Sequence, residues 1–185
     1  MDKVDAFLAQ NIIKQSVLYK NIATKVKQGD YDILFYFSNI EKLEVFLLMQ
    51  NLIKDASQKV FLFRQAWTMA ECNYMYIDEI KKFFLEYKDM IMTEKEKDYL
   101  ENLPNKFTIY RGANIPSEID KGISWSIDKK TANKFIKMPK TLFLEVANGR
   151  TLPFVYNLRK KQIKKENVIC YINERNEDEI IYWER

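Results

Sequence analysis

The sequence predicts an α+β protein, with a helical half over residues 1–103 packed on a strand-rich half over residues 104–185, and three observations carry that prediction. All four prolines and three of the four glycines lie at or beyond Pro104, so turn chemistry belongs to the second half. Before that point apolar residues recur at helical spacing over long runs. After it, short β-prone runs alternate apolar with polar residues between turn signals. At 185 residues and 47% hydrophobic content the chain is sufficient for a real core. No repeat or low-complexity linker separates the halves, so one compact unit is expected.

Taken in order, Phe7-Leu8, Ile12-Ile13, Val17-Leu18, Ile22-Ala23 and Val26 mark one amphipathic helix over Val4 to Lys27, stopped by Gly29. Ile33 to Phe37 is apolar throughout and fits strand or helix on pattern alone. Ser38 or Asn39 can cap a helix over Ile40 to Ala56, a run too long and too rich in leucine for a strand. Val60 to Cys72 and Ile77 to Met90 read as two further helices. Thr93, with Glu96 three residues on, forms a capping box for a last helix before Pro104. The second half then runs as a strand ending at Arg111, a strand at Ser124, and a helix capped by Asp128 through Lys137. A strand over Thr141 to Ala147 turns at Asn148-Gly149 into Arg150 to Tyr156, and strands at Val168 to Ile172 and Glu179 to Trp183 follow.

Composition narrows the chemistry. There is no histidine, which removes serine or cysteine triads, histidine-ligated zinc and a histidine general base. Cys72 and Cys170 are too few for a disulfide framework, so each reads as a small buried apolar residue. The net charge of +4 lacks the strong basic stripe of a dedicated nucleic-acid binder, so nucleic acid is not the favoured partner. No apolar run approaches a membrane span, and Met1 to Asp5 lacks the layout of a secretion signal, so a cytosolic protein away from membranes is expected. The basic run Leu158 to Lys165 reads as a solvated face, or as a phosphate attractor. The aromatics around Trp67, Tyr74 and Tyr76 read as core, with a partner patch as the alternative.

Three motifs stand out. Ile109-Tyr110-Arg111-Gly112 places a cation where a strand gives way to a glycine able to take unusual dihedrals. Ser124-Trp125-Ser126 puts two hydroxyls on one face of a short strand. Glu177-Asp178-Glu179-Ile180-Ile181 sets two carboxylates two residues apart at the start of a strand, where they would share a face. Taken singly, each also fits an ordinary edge strand or solvated loop. In this order they resemble the ADP-ribosyltransferases of the arginine-serine-glutamate class, over residues 107–185. The whole chain, with Arg64-Gln65-Ala66-Trp67-Thr68 ahead of these motifs, is also similar to small phage-encoded proteins of the same fold. Trp125 departs from the family, where threonine is usual.

The resemblance implies a mixed β-sheet of ADP-ribosyltransferase type and an enzyme that moves ADP-ribose from NAD, used as co-substrate without a metal, to a protein acceptor. Glu179 would stabilise the charged sugar, Ser124 would hold Glu179, and Glu177 would face the acceptor, an acidic residue there going with arginine as acceptor. Arg111, with Tyr110, Gly112 and Ser126, would bind the dinucleotide. A phage effector acting on a host protein or defence system fits the second likeness. The alternatives are an inactive binding protein of the same fold that inhibits a partner, and an NAD glycohydrolase with water as acceptor.

Overall fold

The computed structural model describes residues 17, 20–70, 76–113, 122–137 and 157–184, which divide into two compact units, Met1–Ala70 and Glu71–Arg185. The expected strand pair over residues 141–156, together with Cys72, Tyr74 and the helix ahead of residue 17, lies outside the described residues. The change from helix to strand falls at residues 103–106, around the first proline, but the two units divide earlier, between residues 70 and 71. Among the described residues no helix is long and apolar enough to cross a membrane.

In the first unit, residues 20–27 are helical (α1) and stop at Gly29, whose φ of 77° only glycine adopts freely. The ambiguous apolar run becomes a 3-10 helix, Asp32–Tyr36. The long helix expected over Ile40 to Ala56 is instead two pieces. Helix α2, Lys42–Met49, passes into a short 3-10 turn, Gln50–Leu52, and α3, Ala56–Met69, starts afresh. The break comes at Ile53, where the backbone turns extended after the 3-10 turn. Asp55 then starts the next helix: its backbone is extended, and its carboxylate accepts from the Gln58 N–H at 2.8 Å, capping α3. Phe46 of α2 meets Phe63 of α3 with ring centroids 5.4 Å apart, and Phe63 stacks on Trp67 at 6.2 Å. Trp67 is therefore core, at 2% exposure. Lys42 is equally buried and donates to the Phe37 carbonyl at 2.7 Å, which satisfies its charge at the end of the 3-10 helix.

In the second unit, α4 (Ile77–Ile91) and α5 (Glu94–Asn102) precede β1 (Lys106–Ala113) and β2 (Ser124–Ser126). Helix α6 (Lys129–Lys137), β3 (Asn157–Lys164), β4 (Cys170–Ile172) and β5 (Glu179–Ile181) complete it. The five strands form one sheet in the order β3-β1-β2-β5-β4, and every neighbouring pair is antiparallel. The expected mixed sheet is thus corrected among the described residues. Strands β2 and β3, joined through α6, do run parallel, but β1 lies between them and pairs antiparallel with both. Helix α6 packs on β1 inside this crossover, and Gly112 is where they touch: a Cβ there would overlap the Ala132 carbonyl. Gly112 has no positive φ, so its value is space rather than unusual dihedrals.

Strand β3 is the basic run that read as a solvated face. Only Ile163 of its eight residues is buried, and among the described residues its lysines line an outer edge of the sheet, a placement that discourages pairing with other chains. Phe107, Ile109, Ile163, Tyr171, Ile180 and Tyr182 form the sheet core, with Leu100 and Leu103 packed against it. Cys170 is fully buried, as its reading as a small apolar residue expects.

Candidate functional site

The strand order places β1, β2 and β5 side by side, so the three motifs meet in the middle of the sheet. Ser126 stands opposite Tyr110 on one side and Glu179 on the other. Ser124, two residues away on the same face, reaches Glu179 diagonally, and its hydroxyl donates to Glu179 Oε1. Glu179 is 7% exposed; a carboxylate so buried requires hydrogen-bond donors, and Ser124 is one of them. On the other side, Arg111 Nη1 donates to the Ser124 carbonyl. Residues separated in sequence by 13 and 55 positions thus form one connected set, Arg111, Ser124 and Glu179.

Arg111 enters this set from the far side of β1. Alternation puts it on the face of Ile109 rather than of Tyr110, and its guanidinium lies against Gly122, where a Cβ would overlap it. Gly122 is therefore the glycine that makes room for Arg111. Across β1 and β3, Arg111 stands directly opposite Arg159, a like-charge pair that destabilises a sheet unless an anion or carboxylate offsets it.

Glu177 is not arranged as its spacing suggests. Strand β5 begins at Glu179, and Asp178 has a φ of 47°, so the two-residue alternation that would align Glu177 with Glu179 is broken. The Glu177 carboxylate pairs with Arg175 at 2.8 Å, while its carbonyl accepts from the Ser126 hydroxyl at 2.8 Å. Ser126 also accepts from the Asp128 N–H at 3.0 Å, so its hydroxyl fastens the 173–178 loop to the start of α6. Tyr110 is half-buried and paired across the sheet with Ser126 and Lys160.

The residue that places both glutamates is one the motif leaves anonymous. The Asp178 carboxylate accepts from the Tyr171 hydroxyl at 2.6 Å, its N–H donates to Asn173 Oδ1 at 3.1 Å, and its carbonyl accepts from the Ile127 N–H at 3.1 Å. Asn173 is held in turn: its N–H donates at 2.8 Å to Glu96, whose other oxygen accepts from the Thr93 N–H at 2.7 Å in the α5 capping box. The Asn-Glu-Arg-Asn-Glu-Asp composition of the loop is the signal for it, because asparagine and aspartate tolerate positive φ and bond to nearby backbone. Burial, with the hydrogen bond to Asp178, pushes the Tyr171 phenol far above the ordinary tyrosine range.

Trp125, where the resemblance expects threonine, packs edge-on against Tyr182 with centroids 6.2 Å apart. Its indole N–H is buried without a hydrogen-bond partner. A cleft of about 730 Å3 opens past the end of β5, lined by Trp125, Tyr182, Trp183 and Gly122 with the basic residues of β3 and the start of α4. Ser124, Ser126, Glu177 and Glu179 are not in its wall. Among the described residues no group of three or more His, Cys, Asp or Glu side chains gathers to hold a metal ion.

No protein-family model matches the chain, and comparison with curated proteins and with solved structures finds no match either.

Proposed function

We propose that the chain is a mono-ADP-ribosyltransferase that moves ADP-ribose from NAD to an arginine of a protein acceptor. The observation that carries the reading is the Ser124 hydroxyl on the Glu179 carboxylate, with Arg111 joined to the same serine. These are three residue types from three strands, in the roles that their resemblance to the arginine-serine-glutamate class assigns. The wider fold agrees only at the level of α+β, and the role of each residue is part of the proposal.

Cleavage of the nicotinamide–ribose bond leaves the electron pair on the nicotinamide nitrogen and positive charge on the sugar. A buried carboxylate held by a fixed hydroxyl is suited to stabilise that charge, because neither group must reorganise as it develops. Glu179 has that role, with Ser124 setting its orientation, and Arg111 is the cation for the dinucleotide phosphates. A nitrogen of the acceptor guanidinium then bonds to the sugar carbon and gives up a proton, for which Glu177 is the base. Glu177 already holds a guanidinium, that of Arg175, which is the chemistry an arginine acceptor would present.

The test is nicotinamide release from NAD, measured beside transfer of labelled ADP-ribose to lysate proteins, for the wild type and Glu179→Gln. The reading expects both activities in the wild type and their loss in the variant, by about 3 kcal/mol or more of transition-state stabilisation. Release without labelling would assign the chain to NAD hydrolysis. Neither activity in a folded protein would leave a binding module of related fold.

A further inference from the structure

The cleft past the end of β5 has the composition of a binding site, and the Ser124–Glu179 pair does not account for it. Its basic residues, Lys81, Arg159, Lys160 and Lys161, outnumber its carboxylates, Asp78 and Glu184. Arg159 and Lys161 share the face of Arg111, and Lys160, on the opposite face of β3, reaches the opening as well. Arg159 and Lys160 are exposed at this opening, where an anion can reach them.

The rest of the wall is aromatic. Lys81 lies 5.7 Å from the Trp183 ring centroid, and Lys161, which also pairs with Glu184, lies 5.3 Å from that of Tyr182. Rings and cations therefore sit side by side, the combination that takes a flat heteroaromatic base together with its phosphates. Size separates the candidate ligands: about 730 Å3 is far more than a single phosphate fills and lies within the range of small-molecule sites.

We propose that this cleft binds a nucleotide, with its phosphates on Arg159, Lys160 and Lys81 and its base against Trp183 and Tyr182. The nucleotide is either free or one unit of a single strand, and the two share this chemistry. The proposal does not rest on ADP-ribosyl transfer, because neither Ser124 nor Glu179 lines the cleft.

Tryptophan fluorescence of the Glu179→Gln protein, which avoids turnover, tests it with three probes: ADP, a short single-stranded oligothymidylate, and inorganic pyrophosphate. Trp125 and Trp183 are in the wall, so saturable quenching by ADP or by the oligonucleotide is expected, the tighter of the two identifying the source. The double variant Arg159→Ala/Lys160→Ala, at two exposed positions on an edge strand, should weaken that binding about tenfold or more with its circular dichroism spectrum unchanged. Trp183→Ala, at a half-buried position beyond β5, should weaken it about fivefold or more. Pyrophosphate binding as tightly as ADP, affinities unchanged by these substitutions, or no binding of ADP or oligonucleotide would each overturn the proposal.

Discussion

The backbone of Gly122 lies against the guanidinium of Arg111 so closely that a single methyl group at residue 122 would occupy the same space. The guanidinium is the far end of a flexible side chain, so it can yield where a backbone cannot. Gly122→Ala is accordingly expected to leave the fold intact and displace Arg111. Under the transferase reading, both Gly122→Ala and Arg111→Ala weaken NAD binding about tenfold, the order of a charge-assisted contact. Calorimetry measures this, and an affinity unaltered in both variants would detach Arg111 from the dinucleotide.

Under the same reading, the ion pair between Arg175 and Glu177 bears on the acceptor step. Glu177→Gln should lose labelling of protein acceptors and keep slow nicotinamide release, since only the acceptor step uses its charge. Arg175→Ala removes the guanidinium that now holds the carboxylate, and labelling of added acceptors should rise by up to about fivefold, because an exposed pair of this kind is worth roughly 0.2–1 kcal/mol. Labelling that falls in Arg175→Ala as far as in Glu177→Gln would show that the pair positions Glu177 rather than competing for it.

Glu96 joins the α5 cap to the loop ahead of β5, with one oxygen on Thr93 and the other on Asn173. It is 6% exposed, and Glu96→Ala takes the acceptor from two part-buried N–H groups, so it is expected to destabilise the protein by about 1–2 kcal/mol. Urea unfolding of the two proteins measures the difference. A loss below about 0.5 kcal/mol would mean that water replaces the carboxylate and that the loop is held from elsewhere.

Tyr171 ties the same loop down through Asp178, and its proton is held well above the usual phenol range, first by burial and then by that hydrogen bond. A group whose folded pKa is raised contributes stability that is complete below its unfolded pKa, about 10, and is lost as pH climbs toward the folded value. Stability should therefore fall as pH rises above about 10, and Tyr171→Phe should flatten that part of the decline while lowering stability near neutral pH by about 1 kcal/mol. Chemical denaturation across that window checks both, and identical slopes in the two proteins would refute the assignment.

What was legible in the sequence follows from which signals are local. The Thr93–Glu96 box, the Asp128 cap and the stop at Gly29 are each complete within a few residues, and all appear in the structure. The split between α2 and α3 was hidden because apolar residues continue through it: the backbone turns extended at Ile53, and Asp55, which caps α3, resembles any surface acid. Strand β3 was hidden for the opposite reason: an edge strand with one buried residue has almost no alternation to read, and it pairs only because β1 supplies a partner. The contact between Ser124 and Glu179 agreed with the order of the motifs. The placement of Glu177 did not, since one positive φ at Asp178 overrides strand spacing.

The crossover that carries the chain from β2 around β1 to β3 also bears on how quickly the molecule assembles. Lys106 pairs with Lys164 and Ser126 with Glu179, so the sheet closes only after long stretches of chain have come together, whereas α2 and α3 in the first unit meet across a short turn. Loop closure must come before such distant pairings can repay it, which places the two units at different points on the relation between contact order and folding rate. The helical unit should acquire its native contacts first. The Ser124–Glu179 contact, spanning 55 positions, belongs among the later events, so a nascent chain would hold its helices before those two side chains met.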